Sequence, residues 1–261
     1  MNEIILTLLT LNVLQTGHQG TARYAAIEAE LQRQRPDIVT LQEVKRRGKK
    51  TSADGLLVDY HRAVDGRFPG YHLAILSRFP ILRTIRITFD NRRRMALGAV
   101  IKAHGVEVLV VTTHLDYQLR HHRQRRKQLE TMFRRAAQHK GPVVVTGDFN
   151  FGDGEREESA IPKDFVDAWK TLHPSKPGFT WDNEKNPMAN RGKLAGEPSR
   201  RLDRILIRGA RPTAAAITLD QPIKKKLFPS DHFGVSATFV LDTPPHPQPQ
   251  SAPQSAPQSA P

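Results

Sequence analysis

The sequence predicts an α/β (α+β) fold of two packed sheets flanked by helices. Three observations predict it. Apolar runs of strand length outnumber the helical stretches. Several of these runs stand in adjacent pairs. Others alternate with helical stretches, a mixture that favours two sheets over one doubly wound parallel sheet.

The elements follow in order. Ile4 to Leu11 reads as a first strand. The segment Ile4 to Leu14 is apolar enough to be taken for a signal core, but Glu3 and no basic residue precede it, and no small-residue cleavage pattern follows. A helix is predicted over about Thr21 to Gln34, with Tyr24, Ile27 and Leu31 on one face and Pro36 beyond its end. Asp37 to Gln42 is a buried strand, and Leu73 to Ser77 and Ile81 to Phe89 are two more. Gly98 to Ala103 and Val106 to Thr112 pair around a His104-Gly105 turn. A basic helix is predicted over about Gln118 to Gln138, with Leu129, Met132, Phe133 and Ala136 facing inward. Val143 to Thr146, Leu202 to Ile207 and Val235 to Leu241 are late strands.

From Thr243 the composition changes. Pro244 to Pro249 lead into three copies of Gln-Ser-Ala-Pro, which have nothing to bury. Residues 1–242 are therefore read as one domain and 243–261 as a disordered or extended tail, a linker or a solubilising end.

The 261 residues suffice for one large domain, and a hydrophobic fraction of 38% suffices for a core. With no cysteine, disulfides and thiolate metal sites are excluded. No run approaches the roughly 18 apolar residues of a membrane span, so a soluble, cytoplasmic chain without membrane insertion is expected. The formal net charge of +14 implies a polyanionic partner, nucleic acid or an anionic membrane surface.

Short motifs end the strand-like runs with groups able to hold a metal or a phosphate. Asn12 closes the first run, and its amide can ligate a cation or hold a ligand carboxylate. Glu43 follows Ile38 to Gln42, a natural place for a Mg²⁺ carboxylate, although taken alone a surface glutamate is the commoner reading. Asp148 and Asn150 flank Phe149 after Val143 to Gly147. In an extended segment i and i+2 face one side, so the pair suits holding and deprotonating a water; the plain alternative is an Asx turn. His114 and Asp116 share that spacing. No second histidine cluster supports a zinc site, and a hydrogen bond from His114 to a phosphoryl oxygen is the more economical role. Asp231-His232 precedes the last strand. Such a histidine needs an orienting carboxylate, for which Asp203 is the candidate, unless Asp203 only pairs with its neighbouring arginines.

The ordered set Leu41-Gln42-Glu43, Gly147-Asp148-Phe149-Asn150 and Ser230-Asp231-His232 resembles the endonuclease/exonuclease/phosphatase superfamily, the group with the deoxyribonuclease I-like fold. The resemblance covers residues 4 to about 241. It implies a four-layer α/β sandwich with two packed, mostly antiparallel sheets. It implies Mg²⁺ or Mn²⁺ at Glu43, assisted by Asn12 and Asp231. Asp148 becomes the base or water-orienting group, with Asn150 beside it. His232, oriented by Asp203, contacts the scissile phosphate, and His114 is a second phosphate contact. Leu11 stands where many members carry an aromatic residue, a departure that touches packing. Phe165 to Trp169, Phe179 to Asp182, Arg201 to Ile205 and Phe228 to His232 resemble type-2 tyrosyl-DNA phosphodiesterases. Phe179 to Asp182 followed by Asn186-Pro187 is shared with other bacterial members, and these motifs alone do not separate the groups.

The basic residues cluster. Lys45, Arg46, Arg47, Lys49 and Lys50 follow Glu43, and Arg92 to Arg94 precede a strand. Gln118 to Gly141 holds eight Lys or Arg, Arg123 and Arg126 among them, against one acidic residue, Glu130. Lys224 to Lys226 come shortly before Asp231. A phosphate backbone passing over the site would meet several at once, although a solvated face explains the helix almost as well. Trp181 is a candidate base-stacking side chain, with packing the better-supported alternative. The expectation is a monomeric Mg²⁺-dependent phosphodiesterase acting on nucleic acid, DNA ahead of RNA, as a nuclease or DNA 5′-end-processing enzyme. The rival is a lipid or small-molecule phosphoesterase, such as a phosphoinositide phosphatase or a sphingomyelinase-like enzyme.

Overall fold

A computed structural model of the chain describes residues 3–15, 19–47, 50–65, 72–90, 94–189 and 197–242. The expected tail, 243–261, lies outside the described residues, as do Lys49, Arg92 and Arg93. In chain order the elements are β1 (Ile5–Asn12), α1 (Gly20–Gln34), β2 (Ile38–Val44), β3 (Arg46–Arg47), β4 (Lys50–Thr51), β5 (His61–Asp65), β6 (His72–Ser77) and β7 (Ile81–Thr88). They continue with β8 (Met95–Ala103), β9 (Val106–His114), α2 (His122–Ala136), β10 (Val143–Asp148), β11 (Val166–Asp167), α3 (Ala168–Leu172), β12 (Asp203–Arg208), β13 (Ala210–Thr218) and β14 (Gly234–Leu241).

Two six-stranded sheets form, in the orders β13-β14-β1-β2-β6-β5 and β11-β12-β10-β9-β8-β7. Each has one parallel pair, β1 with β2 and β9 with β10, and its other pairs are antiparallel. The central strands read as unbroken apolar runs because both of their faces are buried. On β1, Leu6 and Leu8 point into the core between the sheets, whereas Leu9 and Leu11 pack under Ile27 and Leu31 of α1. On β10, Val144 faces the inter-sheet core while Val143 and Val145 meet Leu129, Met132 and Phe133 of α2. The result is the four-layer order helix, sheet, sheet, helix.

The interface between the sheets is not wholly apolar. Thr40 and Thr146 join their hydroxyls across it at 2.8 Å. Gln42 Nε2 donates to Thr10 Oγ1 on its own sheet (3.2 Å) and to Thr112 Oγ1 on the other (2.9 Å). Buried polar groups persist when they find such partners.

Several boundaries differ from the sequence reading. The predicted basic helix from Gln118 begins as a 3-10 turn, Leu119–His121, and becomes α-helical only at His122. The strand containing Leu41 runs on to Val44 through a bulge that leaves Glu43 in left-handed backbone, φ 57°. β13 carries no strand signal in the sequence. It is alanine-rich, and Pro212 sits at its register shift, both poor indicators of a strand.

Candidate active site

The C-terminal ends of β1, β2, β9 and β10 lie side by side, because the parallel pairs bring their ends to one edge. On the second sheet His114, Asp148 and Asp203 are direct cross-strand partners, forming a row over β9, β10 and β12. Gly147 makes that row possible. Its φ is +124°, and a Cβ there would lie 2.1 Å from the Thr113 carbonyl oxygen. The first sheet contributes Asn12 and Glu43, and the Ser230-Asp231-His232 turn enters from the chain before β14. Bulges such as the one at Glu43 re-aim side chains beside active sites.

The groups touch. Asn12 Nδ2 donates to Asp148 Oδ2 at 3.0 Å and approaches Glu43 Oε1 at 3.4 Å. Its own Oδ1 accepts the Leu14 N–H, so Asn12 holds carboxylates here and does not present its carbonyl oxygen to them. His114 Nε2 stands 3.3 Å from Asp148 Oδ2. His232 Nδ1 meets Asp203 Oδ2 at 2.8 Å, and its Nε2 lies 3.7 Å from Asp148 Oδ2. Glu43, His114, Asp148, Asn150, Asp231 and His232 line one pocket, together with Arg94.

Asn150 reaches the pocket by a different route from the expected strand alternation. β10 ends at Asp148, and Asn150 adopts left-handed backbone, φ 54°. Its N–H caps Asp148 Oδ1 at 3.0 Å, and Nδ2 donates to the Leu115 carbonyl at 3.0 Å. The Asx turn and the shared pocket are thus both present. Asp116 does not share its pocket with His114. β9 stops at His114, and Asp116 Oδ2 accepts Gln128 Nε2 of α2 at 2.7 Å.

Burial in a ring of like charges sets the protonation states. Burial pushes the Glu43 carboxyl up, and the Asp148 charge adds to that. Asp148 rises to about 6 by burial, with the Asp203 charge adding and the His232 cation opposing. Asp231 also rises to about 6, by burial and then by Glu43. Burial alone would depress His232, but the Asp203 and Asp148 carboxylates overcome it and hold the imidazole at about 10. His114 falls well below its ordinary value through burial, then through Arg94 and His232, and stays neutral. One imidazolium and one neutral imidazole therefore flank a carboxylate poised near neutrality.

Mutually repelling carboxylates are the donor set a hard cation takes, and Glu43 with Asp231 fits a divalent cation such as Mg²⁺ or Mn²⁺ chemically. Asp148, Asp203 and His232 also bring one ligand atom each within 4.8 Å of one another. With His232 protonated, both ring nitrogens are donors, so that trio suits a proton relay better than a cation.

Neighbouring segments brace the site. Thr180 Oγ1 accepts the N–H groups of Leu202 and Asp203, each at 3.0 Å. Asn186 Nδ2 donates to the Ser230 carbonyl at 2.9 Å, and Ser230 Oγ donates to the Asn12 carbonyl at 2.6 Å. Arg23 is fully buried on α1 and ties the Val13, Leu14 and Pro229 carbonyls together. The sequence reading missed Thr180, Asn186 and Arg23 as supports; the Phe179 to Asn186 stretch was the available signal. It also missed Tyr117, Glu197, Arg200 and Leu202, which line the pocket.

The candidate nucleic-acid residues divide. Arg94 lines the pocket, and Arg123 and Arg126 are exposed on α2. Lys45 is partly buried before β3, and Arg46 is exposed on β3; Arg47 shares that strand, and its side chain is outside the described residues. Trp181 is only 4% exposed and packs edge-on against His232, ring centroids 4.9 Å apart, and it also lines the pocket, so both the packing and the pocket positions of the sequence reading are met.

Comparison with known proteins agrees with this geometry. The profile of the Endonuclease/Exonuclease/phosphatase family matches residues 9–232, and the chain belongs to that family. Tyrosyl-DNA phosphodiesterase 2 of Gallus gallus is 27% identical over 252 residues, covering 88% of this chain and 64% of its own length. The Bos taurus protein of that name is 30% identical over 164 residues, 58% of this chain and 44% of the relative. The chain thus spans less than two thirds of the length of these curated relatives. Among solved structures, Danio rerio TDP2 complexed with single strand DNA product superposes with TM-score 0.80 at 25% identity, covering 90% of this chain and 98% of that one. An endonuclease/exonuclease/phosphatase from Bacteroides vulgatus matches the fold with TM-score 0.74 at 21% identity, over 91% of this chain and 99% of that one.

Proposed function

We propose that this member of the Endonuclease/Exonuclease/phosphatase family is a Mg²⁺-dependent phosphodiesterase acting on nucleic acid, with DNA ends as its substrate. The observation that carries the reading is the Asp148 carboxylate, poised near neutrality between the Asp203–His232 pair and neutral His114. The likeness to tyrosyl-DNA phosphodiesterase 2, and to a relative holding a single-strand DNA product, supports nucleic acid as the substrate class.

In this reading Asp148 orients a water and takes its proton as the oxygen attacks phosphorus in line; the opposite P–O bond breaks, and the leaving oxygen departs with the bonding pair and takes a proton from solvent, while Asn150 fixes the carboxylate through its N–H. His232 is held cationic and oriented by Asp203, and it donates from Nε2 to a non-bridging phosphoryl oxygen as charge builds there. His114 is neutral and supplies a second donor. Glu43 and Asp231 would hold the cation, with Asn12 keeping Glu43 and Asp148 in place. When bound, Mg²⁺ supplies charge neutralisation to the phosphoryl oxygens.

The test is hydrolysis of end-labelled single- and double-stranded oligonucleotides, some with a 5′-phosphotyrosine, in Mg²⁺ and in EDTA, beside Asp148→Asn. Turnover that needs Mg²⁺ and disappears in the variant is expected. Turnover of phospholipid vesicles alone, with none on any oligonucleotide, would overturn the reading.

A further inference from the structure

The loop between β9 and α2 has features that catalysis does not use. Tyr117 stands on the pocket wall and is 38% exposed; two residues on, Leu119 is 49% exposed. Single exposed apolar side chains need no explanation, but an exposed aromatic ring on the wall of the pocket itself is placed to meet what enters it.

The backbone beneath them is pinned. Arg125 is fully buried, and its Nη1 donates to the carbonyls of Asp116 (3.0 Å) and Gln118 (2.7 Å) while Nη2 donates to that of Leu119 (3.2 Å). Glu157, equally buried, accepts Arg125 Nε at 2.7 Å. Gln128 closes on Asp116 from both sides, donating to its carboxylate at 2.7 Å and accepting its N–H at 3.2 Å. Above this frame Gln118 Nε2 donates to the Tyr117 hydroxyl at 3.1 Å, and Arg120 Nε donates to Gln118 Oε1 at 2.7 Å. A phenol ring and a guanidinium are thereby linked at the mouth of the pocket. An exposed aromatic on fixed backbone loses little freedom when it binds.

We infer that Tyr117 is a base-stacking platform: its ring packs on the nucleobase that flanks the scissile phosphate, and Arg120 meets the neighbouring phosphate. This rests on the proposed action on nucleic acid. Stacking on one aromatic face accepts any base but requires that base to leave its own stack, so the platform favours unpaired ends. The positive side chains that continue along α2, Arg123 and Arg126, suit the strand that follows.

The experiment compares kcat/KM on two single-stranded oligonucleotides that differ only in having a base or an abasic site beside the scissile phosphate. Base stacking on an aromatic side chain predicts a preference for the base of roughly 10–100-fold. Tyr117→Ala should reduce that preference to near unity, and Tyr117→Trp should retain it. Binding in EDTA gives an independent readout. 2-Aminopurine at the flanking position should be quenched by the wild type and by Tyr117→Trp, and not by Tyr117→Ala. An unchanged preference and unchanged quenching in Tyr117→Ala overturn the inference. Absence of wild-type turnover on every oligonucleotide instead overturns the proposed function, and this inference with it.

Discussion

Replacing Asp148 by asparagine should abolish activity and yet stabilise the metal-free protein. Asp148 is 1% exposed, and its pKa is raised to about 6 from an ordinary 3.8, by burial first and then by Asp203. A carboxylate so raised contributes stability that is fully present below its ordinary value and lost as pH rises through about 6. At about 1.4 kcal/mol per pH unit, the ionised group costs about 3 kcal/mol above that range. The variant removes this penalty, which is already net of the attraction to the His232 cation, but it turns an amide donor toward Asn12 and weakens the hydrogen bonds that the carboxylate accepted. A net gain of about 1–2 kcal/mol remains. For a chain of this size that is a rise in Tm of roughly 2–8 °C. The assay is thermal unfolding in EDTA at pH 7.5 and pH 4.5. Asp148→Asn should melt higher at pH 7.5, and the gap should narrow at pH 4.5. A variant that melts below the wild type at pH 7.5 without metal would refute the picture of a site strained by like charge.

Three further outcomes are expected. Gly147→Ala should yield no folded protein by circular dichroism, because its Cβ would meet the Thr113 carbonyl on the adjacent strand. Arg125→Met leaves the buried Glu157 carboxylate unpaired and should cost about 3–5 kcal/mol in urea unfolding, part of which Glu157→Gln in the same chain restores. Oligonucleotide affinity, followed by fluorescence anisotropy, should fall with salt, and Arg123→Gln or Arg126→Gln should each lower the log–log slope by about 0.7 if that residue meets a phosphate of a single strand. An unchanged slope would remove α2 from the binding path.

The catalytic row was legible in the sequence because each member stands at one boundary of an apolar run, the end for His114 and Asp148 and the start for Asp203, and in-register pairing, parallel or antiparallel, carries those boundaries to one place. His114, Asp148 and Asp203 are the clearest case. Asn150 was placed in the right pocket on a rule that does not operate there, since its backbone is left-handed and not extended. The supports were hidden because they work through main-chain carbonyls far away in the chain. Arg23 binds Pro229 across 206 positions, and no local pattern on an amphipathic helix announces that. Tyr117 was hidden for the opposite reason. Its meaning lies in what surrounds the loop, and a lone tyrosine after a strand carries none by itself. β13 escaped because alanine and proline do not advertise a strand that its neighbour β14 holds in place.

The hydroxyl contacts between the sheets have a kinetic meaning. Glu43 and Asn12 ride on one sheet, and His114, Asp148 and Asp203 on the other, so the reacting constellation spans a plane along which two flat bodies could slide. Apolar side chains resist separation, but many offsets satisfy them almost equally well. The Gln42 to Thr112 bond at 2.9 Å and the Thr40 to Thr146 contact at 2.8 Å are directional and act as dowels. Gln42→Leu, with Thr112 left unbonded, should therefore spoil the alignment of the two halves while leaving both sheets intact. On warming, turnover in that variant should fade at temperatures where circular dichroism still reports a native sandwich, whereas in the wild type the two losses should coincide.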